Sequence, residues 1–238
     1  VADLFFAHSE KARQHLLNEG IAESAIAVTG NTVIDALLDV SKRPFDIAGS
    51  PLDGIPFDSK RIVLVTAHRR ESFGGPFESI CQGLAELARK YADDIELVYP
   101  VHRNPNVRAV VGKHLAGIPN VRLLDPLDYL PLVQLMKRSH LVLTDSGGLQ
   151  EEAPSLGKPV LVMRKLTERQ EGVEAGTLKL VGMDAADIVR EASRLLDDPA
   201  EYRAMATRAN PYGDGTASAK IVQKILSDLL PSPASGRG

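Results

Sequence analysis

Cysteine occurs once in the 238 residues, at Cys81, so no internal disulfide can form and a reducing compartment is expected. Set in a stretch of helical period, that thiol reads as a small buried apolar group. No apolar run approaches the roughly 18 residues that a membrane-spanning helix requires. No signal peptide is visible at a terminus that opens Val1-Ala2-Asp3 without a methionine. The expectation is a cytoplasmic protein whose natural start lies upstream. Charge of one sign is also scarce: 28 Lys and Arg stand against 31 Asp and Glu, a net charge of −3. That balance gives no bulk electrostatic case for nucleic acid or an anionic membrane, so any anion must be captured by a local site. No Gly-x-Gly-x-x-Gly follows the first long apolar run and the P-loop lysine pattern is missing, which disfavours nicotinamide and flavin cofactors. His102, His114 and His140 fall on separate elements, so neither a metal nor any other cofactor is expected.

What remains is an ordinary globular composition, 44% hydrophobic and 25% charged. From about Arg61 short aliphatic runs alternate with stretches of helical period. The runs are 62–65, 95–99, 121–124, 141–143, 159–162 and 178–181, and four of them are almost continuously apolar, as strands buried on both faces must be. Glu96 and Arg122 mark the other two as nearer an edge. The helical stretches are 76–91, 105–116, 128–138, 148–156, 168–175 and 184–197. This alternation predicts an α/β fold, a doubly wound parallel sheet in Rossmann-like order 3-2-1-4-5-6.

The first 55 residues differ. Leu4–Ala7 and Ile26–Thr29 read as two strands around a helix from Ser9 to Gly20, with a further helix from Thr32 to Ser41. Two parallel strands cannot bury both faces alone. The expected division is therefore 1–45 as the end of a preceding domain, 46–58 as a linker, 59–230 as a complete Rossmann-like domain, and 231–238 as a disordered tail. Helices at 200–208 and 217–230 flank the turn-forming run Asn210 to Gly215.

In an open parallel sheet, ligands bind beyond the carboxyl ends of the strands where the winding reverses. That point lies between the first and fourth of the six strands, whose following loops are Thr66-Ala67-His68-Arg69-Arg70-Glu71-Ser72 and Asp145-Ser146-Gly147-Gly148-Leu149-Gln150-Glu151-Glu152. Gly147 and Gly148 remove side chains where a diphosphate would approach the free amides of a helix start, and the Ser146 hydroxyl can donate to it. The same loop also reads as an ordinary N-cap on a tight turn. Glu152 suits the two hydroxyls of a ribose, or is a solvated surface carboxylate. His68 can donate to a diphosphate or transfer a proton, or is satisfied by backbone. Asp145 is expected to orient the loop, since two anions repel. Of Arg69 and Arg70 only one is expected to face the ligand, the other pairing with Glu71 or facing solvent.

The two loops, together with Tyr99 to Val107, Leu143 to Pro154, Thr167-Glu168-Arg169 and Asn210 to Gly215, closely resemble the non-hydrolysing UDP-N-acetylglucosamine 2-epimerases, over essentially all of residues 1–228. The resemblance implies a two-domain GT-B arrangement with the site in the cleft, of which this chain supplies the C-terminal domain and the end of the N-terminal one. It implies interconversion of UDP-GlcNAc and UDP-ManNAc at C2 by loss of UDP, a glycal intermediate and re-addition, without metal or redox cofactor. Ser146, Gly147 and Gly148 would hold the diphosphate, Glu152 the ribose, and Arg169 the phosphates, while His68 is the catalytic candidate. Leu127 and Leu132 stand where relatives contact the base, in places with Gln and Phe. Arg69 and His102 match positions of a second, activating UDP-GlcNAc site. Gln170 stands where many relatives have Pro. The acidic residues credited with proton transfer at C2 belong to the N-terminal domain and are not in this chain. The resemblance further implies a homodimer for the full-length protein. The competing readings are a UDP-sugar-dependent glycosyltransferase of the same build, a hydrolysing 2-epimerase and a non-catalytic nucleotide-sugar sensor.

Overall fold

Leu64 faces one side of the molecule and its neighbours Val63 and Val65 the other, and this alternation builds two cores around one sheet. The computed structural model describes residues 2–69 and 72–229. Arg70, Glu71 and the expected tail 231–238, with the end of the last expected helix at Leu230, lie outside the described residues.

The chain begins with β1 (Phe5–Ala7), α1 (Glu10–Asn18), β2 (Ile26–Val28) and α2 (Thr32–Lys42). Ser9 caps α1 by accepting from Ala12 N at 3.1 Å, and Asn31 caps α2 in the same way through Val33 N. β1 and β2 pair in parallel as a separate two-stranded sheet. The second sheet contains β3 (Arg61–Thr66), β4 (Ile95–Pro100), β5 (Val121–Leu124), β6 (Leu141–Thr144), β7 (Val160–Val162) and β8 (Leu178–Leu180). Its order is β5-β4-β3-β6-β7-β8, all parallel, which is 3-2-1-4-5-6 in chain order. The predicted fold class and strand order both hold.

Helices cover both faces. α3 (Gly75–Lys90), α4 (Pro105–Leu115) and α8 (Ala185–Asp197) pack on the face that carries Val63, Val65, Leu97, Leu141 and Leu143. Cys81 lies there, fully buried, and burial pushes its thiol up to about 12, as expected of an inert apolar thiol. α5 (Tyr129–Arg138) and α6 (Gly147–Glu152) cover the face of Ile62, Leu64, Val98 and Val142. The segment 46–58, linker-like in composition, sends Leu52 and Ile55 into this second core, where both are buried. Arg122 lies on the edge strand β5 and donates through Nε to the buried Glu96 of β4 at 2.7 Å.

Two expected helices come out shorter. The stretch 148–156 divides into α6 and a 3-10 turn over Ala153–Leu156, because Pro154 has no N–H to continue the ladder. The stretch 168–175 reduces to α7 (Gln170–Glu174), since Thr167 Oγ1 takes the Arg169 amide at 3.1 Å and holds Arg169 outside helical geometry. After α9 (Pro199–Ala206) the chain returns to its beginning. α10 (Ala217–Leu229) packs on α2, and the Asp35 carboxylate accepts from the amides of Ala217 and Ser218 at the start of that helix. Gly30 and Gly213 meet at this return: a Cβ on Gly30 would lie 3.2 Å from Gly213 Cα, and both glycines hold positive φ.

Candidate functional site

The two loops singled out by sequence meet at the carboxyl ends of β3 and β6, which are neighbours in the sheet with Thr66 opposite Thr144. The hydroxyls of those two threonines lie 2.6 Å apart. Thr144 Oγ1 also accepts from the Ser146 amide at 2.9 Å, turning the chain toward α6. Asp145 is fully buried and its Oδ2 accepts from the amides of both His68 and Arg69, at 2.7 Å each. The carboxylate thus pins one loop to the other, which is the orienting role expected of it.

His68, Ser146, Leu127, Leu132 and His102 all line one pocket of about 180 Å³, closed by Thr66, Pro100, Pro126 and Leu149. The imidazoles of His68 and His102 stack with centroids 5.0 Å apart and planes 6° from parallel. His102 Nδ1 accepts from the Asn104 amide at 3.1 Å, which fixes the outer ring. The ring of His68 is 41% exposed and bonds no described backbone group. Ser146 occupies the N-cap position of α6, but its side chain makes no cap bond, so the hydroxyl is free for other partners among the described residues.

Gly147 is where the cations converge. A Cβ there would lie 3.4 Å from Nη2 of Arg69, 3.4 Å from Nη2 of Arg169 and 3.0 Å from Oε1 of Glu168. Glu168 is the counter-charge: Arg169 Nη1 lies 3.2 Å and Arg69 Nη2 3.6 Å from its Oε1. Its carboxyl sits below the ordinary value; partial burial works against this, and its own backbone amide, Arg164 and Arg169 outweigh that cost. Gly148 is open, its nearest neighbours being Glu152 Oε2 and Ser146 Oγ at 3.8 and 3.9 Å. Gly147, Gly148, Glu152 and Arg169 stand beside the pocket rather than among its lining residues.

Glu152 is buried, not a solvated surface group. Burial raises its carboxyl above the usual range, and the Tyr129 hydroxyl, donating to Oε1 at 2.6 Å, works against that rise. Its neighbour Glu151, also buried, accepts from Arg169 Nε and from Asn31 Nδ2, both at 2.6 Å, and its carbonyl accepts from Asn210 Nδ2 at 2.7 Å. Tyr129, Glu151, Asn31 and Glu168 escaped the reading of the sequence. Glu151 and Glu168 stand in motifs that were visible, but the partners of Tyr129, Glu151 and Asn31 lie 18 to 120 residues away and follow only from the packed chain, as does the approach of Glu168 to Arg69.

Residues 1–226 match the family model described as UDP-N-acetylglucosamine 2-epimerase. The chain belongs to the UDP-N-acetylglucosamine 2-epimerase family. The UDP-N-acetylglucosamine 2-epimerase of Escherichia coli strain K12 is 53% identical over 230 residues, covering 94% of this chain and 61% of the relative. The solved UDP-GlcNAc 2-epimerase of Neisseria meningitidis, bound to UDP-GlcNAc, superimposes with a TM-score of 0.88 at 45% identity, over 95% of this chain and 62% of that one. The S. aureus MnaA co-structure with UDP gives 0.87 at 44%, over 100% and 64%. The chain thus spans about three fifths of the length of the curated epimerases it matches. No helix among the described residues is long and apolar enough to cross a membrane.

Proposed function

We propose that this chain is the UDP-binding half of an enzyme that interconverts UDP-N-acetylglucosamine and UDP-N-acetylmannosamine at C2. The observation that carries the reading is the convergence of two guanidiniums, from Arg69 and Arg169, over side-chain-free Gly147, next to the pocket shared by His68 and Ser146. Such a site suits a diphosphate: cations and uncapped amides supply the charge, and no methyl group blocks the approach. That a Neisseria relative was solved bound to UDP-GlcNAc supports a UDP-sugar as the ligand.

In this reading Ser146, Gly147 and Gly148 hold the diphosphate with Arg169, and Glu152 takes the ribose hydroxyls. Leu127 and Leu132 pack the base. His68 donates to the diphosphate as UDP departs with loss of the C2 proton, and serves again when UDP re-adds to the glycal. His102 serves a neighbouring activating UDP-GlcNAc site together with Arg69, whose guanidinium reaches the diphosphate as well. Residues 1–45 end an N-terminal Rossmann-like domain, 46–58 join it to the UDP-binding domain 59–230, and the acids that work at C2 come from the N-terminal domain. The full-length protein is cytoplasmic and a homodimer.

Two measurements test this. Calorimetry of residues 1–238 with UDP should give one-to-one binding, and heat-free mixing sinks the reading. A full-length protein given UDP-GlcNAc alone should accumulate UDP-ManNAc. Free ManNAc instead would indicate hydrolysis, and UDP release only with an acceptor would indicate transfer, each overturning the epimerase assignment.

A further inference from the structure

His68 and Asp145 stand at adjacent strand ends with one bond left unmade. Oδ2 of Asp145 is used twice, by the amides of His68 and Arg69. Its Oδ1 is buried and accepts nothing among the described residues, although Nδ1 of His68 lies only 3.8 Å away. A buried carboxylate oxygen without a donor carries a desolvation cost, which no described residue offsets at Oδ1. The ring, by contrast, has freedom to move: it is 41% exposed, and stacking on His102 favours sliding within its own plane over tilting. A slide of roughly 1 Å brings Nδ1 into hydrogen-bond range of Oδ1.

We propose that Asp145 is a positioning residue for His68: with the diphosphate bound, Nδ1–H of His68 donates to Asp145 Oδ1 and the ring presents Nε2–H to the anion. An imidazole has two nitrogens, and the partner of one decides what the other can do. With Nδ1–H committed to a carboxylate, Nε2 can donate to the anion only when both ring nitrogens carry protons. The same carboxylate holds the two backbone amides, so the ring, its loop and the start of α6 are referenced to a single buried group. The inference rests on the diphosphate reading and deepens it by assigning a role to a residue that does not touch the ligand.

The test is the protonation of the His68 ring, read by nitrogen NMR of the chain labelled at histidine and saturated with UDP. Both ring nitrogens of His68 should carry protons. In Asp145→Asn the amide oxygen can keep the two backbone amides while the NH2 group faces Nδ1, so Nδ1 should lose its proton and Nε2 keep its own. Unshifted resonances of the histidines remote from Asp145, such as His15, His114 and His140, verify that the variant has folded. Nδ1 without a proton in the UDP-saturated wild-type chain overturns the proposal without recourse to any variant, and so does a protonated Nδ1 in Asp145→Asn. In the full-length enzyme the variant should lose about 100-fold in kcat with KM within about threefold, the scale of a mispositioned proton donor; an unchanged kcat overturns the proposal. Failure of the wild-type chain to bind UDP would sink the diphosphate reading itself, whereas UDP bound beside a bare Nδ1 sinks only the role of Asp145.

Discussion

The Tyr129 hydroxyl donates to Glu152 Oε1 across 2.6 Å, leaving Oε2 turned toward Gly148. An ionised carboxylate offers only acceptors, so Glu152 takes two ribose hydroxyls best when it is deprotonated. Burial raises its carboxyl, the nearby Glu151 carboxylate adds to the rise, and the Tyr129 bond opposes both. Removing that bond should raise it further. Tyr129→Phe is therefore expected to weaken UDP binding by about 0.5–1.5 kcal/mol at neutral pH. The loss should grow as the pH is lowered from 7 to 5, toward the raised carboxyl, because protonation takes an acceptor from the ribose. Calorimetric titrations at the two pH values check it; an equal loss at both would show that Tyr129 acts by packing alone.

Ser146 separates two roles that the sequence left open. Its hydroxyl makes no cap bond at the start of α6, so little of the fold depends on it. Ser146→Ala should cost about 1–2 kcal/mol in UDP binding if the hydroxyl meets a charged phosphate oxygen, with thermal stability close to wild type. The opposite result, unchanged affinity with about 1 kcal/mol of lost stability, is the signature of an N-cap. UDP titration and thermal melting of the same variant decide between them.

Much of this molecule was legible before it was folded, for definite reasons. β3, β6 and β7 lie inside the sheet with both faces covered, so their sequences are almost continuously apolar and bounded by polar turns. The alternation with helical stretches forces crossovers, and the crossovers force the order that brings His68 and Ser146 to one crevice. Leu52 and Ile55 were not legible: they sit in a Pro- and Gly-rich stretch that composition marks as a linker, yet they fill a hollow beneath the second face. Glu151 was visible in its motif but its role was not, because Asn31, Arg169 and Asn210 reach it from three distant parts of the chain. A local pattern reports what a residue's own element needs. It does not report which distant groups the packed chain delivers.

Gly147 and Gly148 are adjacent but should respond differently to the same substitution. A Cβ at Gly147 meets Glu168 at 3.0 Å and two guanidiniums at 3.4 Å, whereas at Gly148 nothing lies closer than 3.8 Å. The neighbours of Gly147 are ends of flexible side chains, so Gly147→Ala should fold, with the two arginines displaced. UDP affinity should fall at least tenfold, about 1.4 kcal/mol. Gly148→Ala should change it by less than about threefold, while Gly148→Val should do more, since a branched side chain extends into the phosphate's approach. Affinities of the three variants side by side give the test, and an equal loss in the two alanine variants would contradict the geometry.

At the opposite end of the sheet, His140 gives stability a pH dependence of its own. Its ring stacks on Tyr202 with centroids 4.1 Å apart, and its Nε2 is buried without a partner among the described residues. Burial is the main cause that pushes the imidazole down to about 4, with Arg61 and Lys158 adding to it and Asp94 opposing. The unfolded chain binds a proton at this residue near pH 6.5, the folded chain only near 4. Between those values the unfolded state holds more protons, so stability is complete above about pH 6.5 and drains away as the pH falls toward 4. At about 1.4 kcal/mol per unit, discounted for the ring's partial exposure, the loss is on the order of 2 kcal/mol. His140→Phe keeps an aromatic ring on Tyr202 but cannot take up a proton. Urea unfolding at pH 7.5 and pH 5 should therefore show a smaller drop for the variant than for the wild type. Equal drops would assign the acid sensitivity to other groups.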